Sequence, residues 1–294
     1  MSQINVNVVA PLNYTGTALV GDSNNVEIVD AAGDRVLKAK SSNGHITIGG
    51  SNPADTVQGC IAIGKSAGQN ISNNLNGSAI IIGNNAMSNS SQTGGNIAIG
   101  DGALQNATGI SGISNIAIGQ IAGQSVNDGF QNTIVGYGAA TSLAGVALTT
   151  GDNNLVLGSL AATASANSNN SVTLGNSSIT TLRCAVTSIT SLSDARDKKD
   201  VTDLRAGLDF VKALRPVEFV WNDRNAEGKH GIADSGFIAQ DLKAAQEDVD
   251  MANVLQLVYE SNPEKLEASY GRLIPVLVKA IQELTAKVEL LENK

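Results

Sequence analysis

A serine and a lysine five residues apart could do nucleophilic chemistry in this chain: Ser193 and Lys198, in the run Ser193-Asp194-Ala195-Arg196-Asp197-Lys198-Lys199-Asp200-Val201. A hydroxyl attacks a carbonyl when a neighbouring amine takes its proton, and a lysine does so only where desolvation or a cationic neighbour lowers its pKa. The spacing suits no regular element. It sets the two side chains about 140° apart on a helix and on opposite faces of a strand. A working pair therefore needs an irregular turn, and the expectation is that this turn is completed only when chains assemble. The competing reading is that Ser193 or Asp194 caps a short helix and the charges are solvated.

Other candidate residues carry less. Gly59-Cys60-Ile61-Ala62-Ile63-Gly64-Lys65-Ser66 fits a phosphate-binding loop letter for letter. That motif works between a strand and a helix N-terminus. Here Ile61-Ala62-Ile63 reads as a strand in its own right and Ala67-Gly68-Gln69-Asn70 as a turn, so nucleotide binding is not expected. Cys60 and Cys184 lack metal-ligand spacing, and each is expected to be a small buried hydrophobe. His230 reads as a solvated loop residue and His45 has no partner. Glycoside hydrolysis needs two facing carboxylates, but Asp55, Asp101, Asp128 and Asp152 are scattered one per repeat or fewer. No metal or cofactor is implied.

The elements that must position the serine and lysine are of two kinds. Residues 1–190 hold five Lys/Arg and eight Asp/Glu, and 191–294 hold fourteen and nineteen, which together give the net charge of −8. The sparsely charged part is a repeat. Its units are Ile46-Thr47-Ile48-Gly49, Ile61-Ala62-Ile63-Gly64, Ile80-Ile81-Ile82-Gly83, Ile97-Ala98-Ile99-Gly100, Ile116-Ala117-Ile118-Gly119, Thr133-Ile134-Val135-Gly136, Leu155-Val156-Leu157-Gly158 and Val172-Thr173-Leu174-Gly175. Their closing glycines are 15 to 22 residues apart, the short variable period of a β-solenoid. Within a unit the first and third residues share one face and the middle residue takes the other. The aliphatic pair is expected to make the core, with pairs such as Ala67-Gly68, Ala103-Leu104 and Ala122-Gly123 turning the chain back. Two aliphatics per turn bury little, and aromatics are 3% of the chain, so three chains are expected to be stable where one is not. The repeat resembles the head of trimeric autotransporter adhesins, which implies a left-handed parallel β-roll.

Residues 1–43 read as β-rich, beginning with Ile4-Asn5-Val6-Asn7-Val8-Val9, and offer an attachment end. The roll spans 44–175, and 176–192, with Ile179, Leu182, Val186 and Ile189, reads as a β-like neck. Beyond it the pattern turns α+β. Leu204–Leu214 reads as a helix stopped by Pro216, Val217–Trp221 as a strand, and Phe237–Leu242 as the approach to another helix. Ile274, Leu277, Ile281, Leu284, Val288 and Leu291 repeat at spacings of three and four, placing a seam of aliphatics on one face of the last helix. The seam indicates self-association without fixing the number of chains. The absence of a cationic-apolar leader, of a run approaching ~18 apolar residues and of a basic stripe argues against export, membrane insertion and nucleic-acid binding.

The run Ser193-Asp194-x-Arg196-x-Lys198-x-Asp200-Val201, with Gly207-Leu208-Asp209-Phe210, Leu214-Arg215-Pro216-Val217, Trp221-Asn222-Asp223, Gly236–Leu242 and Tyr270-Gly271-Arg272-Leu273-Ile274-Pro275, resembles the C-terminal intramolecular chaperone of bacteriophage tail spikes and fibres. The resemblance covers residues 191–294, and Asp197 departs from it, standing where many relatives are apolar. It implies a trimeric, mainly β fibre ending in a small α+β chaperone domain, 193–294, with a coiled-coil helix. Such a chaperone assembles three chains and then cuts itself off. Carried across, the cut bond is Leu192–Ser193, Ser193 is the nucleophile and Lys198 the base. Asp194, Arg196, Gln240 and Asp241 are candidates for support, the alternatives being a solvated Arg196 and a helix-capping or packing role for Gln240 and Asp241. The implied partners are two further copies, a tail or baseplate protein at the N-terminus and a host surface receptor of glycan type. The implied location is the virion, after assembly in the host cytoplasm. The alternatives are a bacterial surface adhesin with the same roll and a polysaccharide-degrading tail spike.

Overall fold

A computed structural model of the chain describes residues 18–21, 25–29, 35–40, 45–48, 59–71, 78–91, 94–108, 113–186, 188–222 and 230–294. The first strand-like run, Ile4–Val9, and Asp55 lie outside the described residues, as does the side chain of His45. The chain forms two compact units, Met1–Asn176 and Ser177–Lys294.

Among the described residues, the first unit is one sheet of eleven strands taken in chain order. Strands β1 (Ala18–Gly21), β2 (Asn25–Val29), β3 (Arg35–Lys40) and β4 (His45–Ile48) pair antiparallel. From β4 onward every pairing is parallel, through β5 (Ile61–Ile63), β6 (Ile80–Ile82), β7 (Ile97–Ile99), β8 (Ile116–Ile118), β9 (Thr133–Val135), β10 (Leu155–Leu157) and β11 (Val172–Leu174). Like positions lie on like positions. Ile61 pairs with Ile80, Ile80 with Ile97 and Ile97 with Ile116, so this is the parallel β-solenoid that the repeat predicts.

The inside and the outside of the solenoid are exchanged relative to expectation. Ala62, Ile81, Ala98, Ala117, Ile134 and Val156, the middle residues, are at most 2% exposed. They face a column of alanines, Ala67, Ala86, Ala103, Ala122, Ala139 and Ala161, each three residues beyond a strand-ending glycine and equally buried. Met87, Leu104, Val126 and Leu148 fill the remaining interior. The aliphatic pair points outward, leaving Ile46, Ile80, Ile118, Val172 and Leu174 between 37% and 67% exposed. The reason is width: a three-residue strand opposite an alanine column leaves room for one small layer, and period-two alternation separates faces without saying which is wet.

The strand-ending glycines are demanded by close stacking. Gly83 and Gly100 have φ of +137° and +135°, and a Cβ on either would lie 2.3 Å from the carbonyl oxygen of the next glycine in the column. Only glycine is free of strain in that region.

A second column runs through the core one residue before the strands. Asn115 and Asn132 are fully buried and Asn154 nearly so. The backbone N–H groups of Asn115, Asn132, Asn154 and Ser171 donate to the side-chain oxygens of Asn96, Asn115, Asn132 and Asn154 in turn, at 2.8 to 3.1 Å. The amide nitrogens of Asn115, Asn132 and Asn154 donate to Gly129, Gly151 and Ser168 carbonyls. Each asparagine therefore closes its own loop and holds the next turn. Ala79 and Cys60 occupy the same place in earlier turns, and Cys60 is buried as expected, its thiol pushed up by that burial.

Residues 177–192 form no strand among those described, although the sequence suggests a β-like neck. Ile179, Leu182, Val186, Ile189 and Leu192 are 57% to 100% exposed, so the neck has apolar side chains and, among the described residues, no partner strand. Cys184, expected to be buried, is exposed for the same reason.

The rest of the second unit is small and α+β. Helix α1 (Leu208–Ala213) begins later than the predicted Leu204, because the backbone at Gly207 breaks from helical geometry. The hairpin β12 (Val217–Val220) and β13 (Ala233–Gly236) follows, then α2 (Ala239–Asp248), α3 (Ala252–Leu255), the pair β14 (Val258–Tyr259) and β15 (Glu267–Ala268), and α4 (Ile274–Glu292). Phe210, Leu242, Met251, Leu255, Leu257, Leu273 and Val276 form its core. Buried Gln246 accepts the Leu257 N–H at 2.9 Å, fixing the entry to β14. Pro275 sits in the first turn of α4, where its missing N–H has no helical partner to lose.

Candidate functional site

The irregular turn required at 193–198 is present. Asp194, with φ −66° and ψ 136°, caps a single 3-10 turn, Ala195–Asp197, and its carboxylate accepts the Arg196 N–H at 2.8 Å. The Asp197 N–H donates to the Asp194 carbonyl and the Lys198 N–H to the Ala195 carbonyl, both at 3.2 Å. The chain then leaves extended at Lys198. This folds residue 198 back over residue 193. Lys198 Nζ lies 2.6 Å from Ser193 Oγ and 3.1 Å from the Ser193 carbonyl oxygen.

The contact between Ser193 and Lys198 forms within a single chain. Spacing arguments assumed helix or strand, and a three-residue turn followed by an extended residue escapes both. The whole stretch 191–200 is exposed. In the contact as formed, the amine donates to the hydroxyl. Activation of Ser193 needs the reverse polarity, a neutral amine accepting the hydroxyl proton, and this is favoured when water is removed from the lysine.

Arg196 turns back on Asp194. Its Nε lies 3.0 and 3.2 Å from the two carboxylate oxygens, and a terminal nitrogen lies 2.6 Å from one of them. These bonds hold the Asp194 carboxyl below its usual range, with the side-chain bond from Arg196 the main cause.

The remaining sequence candidates lie elsewhere. Gln240 is exposed in the first turn of α2, while Lys198 bonds to Ser193. Asp241 pairs instead with Arg215, whose guanidinium approaches to 2.8 Å. Ile274, Leu277, Ile281, Leu284, Val288 and Leu291 are 44% to 68% exposed along α4. A neighbouring face of α4 is the buried one: Val276 and Ala280 are inside, and Glu283 accepts the Leu208 N–H at 2.8 Å at the start of α1. That last contact was not readable from sequence, because 75 residues separate its partners.

In the phosphate-loop look-alike, the central residues are strand β5, and Lys65 opens a turn, not a helix. Of the scattered carboxylates, Asp152 accepts the Phe130 N–H at 3.0 Å, a structural bond between neighbouring turns. Among the described residues there is no His/Cys/Asp/Glu group that could hold a metal, and no helix is long and apolar enough to cross a membrane.

Compared with known protein families, residues 193–251 match the model described as chaperone of endosialidase. The match opens on Ser193 and ends at Met251, so the motif Tyr270–Pro275 and helix α4 lie beyond it. No curated protein and no solved structure matches the chain. Together the match and the β-solenoid support a tail-spike-like protein with an intramolecular chaperone region.

Proposed function

We propose that the chain is a phage tail fibre whose C-terminal part, 193–294, drives assembly of three copies and then cuts the Leu192–Ser193 bond. The observation that carries this reading is the coincidence at Ser193. The family match begins there, and there Lys198 Nζ reaches Oγ at 2.6 Å. In the cut, Ser193 Oγ attacks the Leu192 carbonyl carbon while neutral Lys198 takes the hydroxyl proton. The C–N bond breaks, and Lys198 returns that proton to the departing Ser193 nitrogen. The product is an ester of Leu192 on Ser193 Oγ, which water opens to a carboxylate and the free hydroxyl. Leu192 is wholly exposed, so water has access.

Two apolar faces support self-association: the outward isoleucines of the solenoid and the seam of α4. Uncharged aliphatic side chains repeated along a face stay in water only at a hydrophobic cost that partner chains remove. The N-terminal part attaches to the tail or baseplate, and the solenoid meets a surface glycan of the host. The virion location and assembly in the host cytoplasm belong to the same reading.

A denaturing gel of the purified protein tests it. Wild type should give two pieces, the smaller beginning at Ser193 by terminal sequencing, whereas Ser193→Ala and Lys198→Ala should each remain one band and still form oligomers. A single intact wild-type band, checked by mass after assembly, would demote Ser193 and Lys198 to relics of the motif.

A further inference from the structure

We infer that Asp194 and Arg196 act as a clamp that holds the 193–198 turn in the one shape that lays Lys198 on Ser193, which makes them positioning residues for the cut. The inference rests on the self-cleavage reading for its purpose but not for its geometry. Five residues of exposed chain have no core to hold them, and stretch 191–200 has none. Within one chain, what keeps the lysine in place comes from the turn itself.

The bonds within the turn show how it is held. One carboxylate oxygen of Asp194 accepts the Arg196 backbone N–H at 2.8 Å, which bends the chain at residue 195. Both oxygens also receive the Arg196 side chain, in the planar two-point geometry that arginine offers a carboxylate. The same two residues are thus tied through backbone and side chain at once. Two backbone bonds, Asp197 to Asp194 and Lys198 to Ala195, complete the turn, and none of these bonds uses the side chain of Asp197 or Lys199. The motif's departure at Asp197 therefore falls on a residue whose side chain takes no part in these bonds. The clamp also lasts through the neutral range. A carboxyl held below its usual pKa contributes above that value and is lost only as the pH falls through its lowered one.

The test uses the full chain and two independent readouts. In the first, cutting of the assembled protein is timed on gels. Asp194→Ala should slow it about tenfold, since the cap and the ion pair go together. Asp194→Asn keeps an oxygen for the Arg196 N–H and should restore most of the rate, and Arg196→Ala should fall between. In the second, Ser193→Cys is joined to Lys198 by a short amine-to-thiol reagent and the product is counted by mass spectrometry. Adding Asp194→Ala should lower the yield several-fold, and Asp194→Asn should bring it back. Asp194→Ala within twofold of its parent in both readouts overturns the clamp. Loss in both without rescue by Asp194→Asn would assign the effect to the charge and overturn the capping role. If wild type is not cut at all, the self-cleavage reading fails, and the cross-linking yield alone decides whether the clamp exists.

Discussion

The two units solve the same problem, holding a polar backbone in place with few large side chains, in opposite ways. The solenoid repeats one solution: Asn96, Asn115, Asn132 and Asn154 each serve the turn that follows, and the glycines stack where a Cβ would strike the next glycine's carbonyl oxygen. The C-terminal unit uses contacts that occur once, such as Gln246 with Leu257 and Glu283 with Leu208. A repeated contact is shared, so damage to one rung reaches its neighbours. A unique contact fails alone. The units are alike in one respect, for each leaves a row of aliphatics in water.

That likeness is broken most severely by removing one unit. Deleting 193–294 should leave 1–192 insoluble or misassembled, because its outward isoleucines lose the part proposed to bring copies into register. Soluble trimers of 1–192 at full yield would remove the chaperone role. Within the solenoid, Gly100→Ala should destabilise by about 3 kcal/mol or more, since its Cβ would stand 2.3 Å from the Gly119 oxygen and φ is +135°. Denaturant unfolding of the shaft reads this, and a change under 1 kcal/mol would show that the column can spread. On α4, Val276→Asp should unfold the second unit at about 3–5 kcal/mol, as an unpaired charge enters its core. Asn132→Leu removes the acceptor for the Asn154 N–H and the donor to Gly151, and should lose about 2–5 kcal/mol. The smallest stability effect is expected on the seam. Ile281→Asp with Leu284→Asp should change helicity and unit stability by about 0.5 kcal/mol or less, yet abolish oligomers in light scattering. If this pair unfolds the unit as Val276→Asp does, the seam is not a free face.

How much of this was legible in the sequence depended on whether a signal was local. The strands were, because Ile-x-Ile-Gly carries its period and its stop within four residues, and all eight units form strands in the expected register. The direction of their faces was not, since alternation is silent about which side a thin core occupies. The asparagine column was missed because it lies one residue outside the repeat motif and begins only at Asn96, after Cys60 and Ala79 in the earlier turns. At the junction, Ser193 and Lys198 were visible as types, and the family resemblance gave them roles. Their contact was obscured because five residues suit neither helix nor strand, and it took the Asp194 cap to bend the chain. The neck was read as strand from its β-branched residues, but strand formation needs a partner edge, which the neck lacks among the described residues.

The asparagine column has a direction. In every link the side chain belongs to the earlier turn and the backbone amide to the later one, from Asn96 through Asn154 to Ser171. A chain leaving the ribosome lays down its turns in that same order. Each new amide meets an acceptor already in place, so the inside of the shaft can close rung by rung during synthesis. The outward isoleucines, exposed at Ile46, Ile80 and Ile118, have no such template among the described residues. Translation can thus finish the interior of the shaft before residues 193–294, which follow it in the chain, are made.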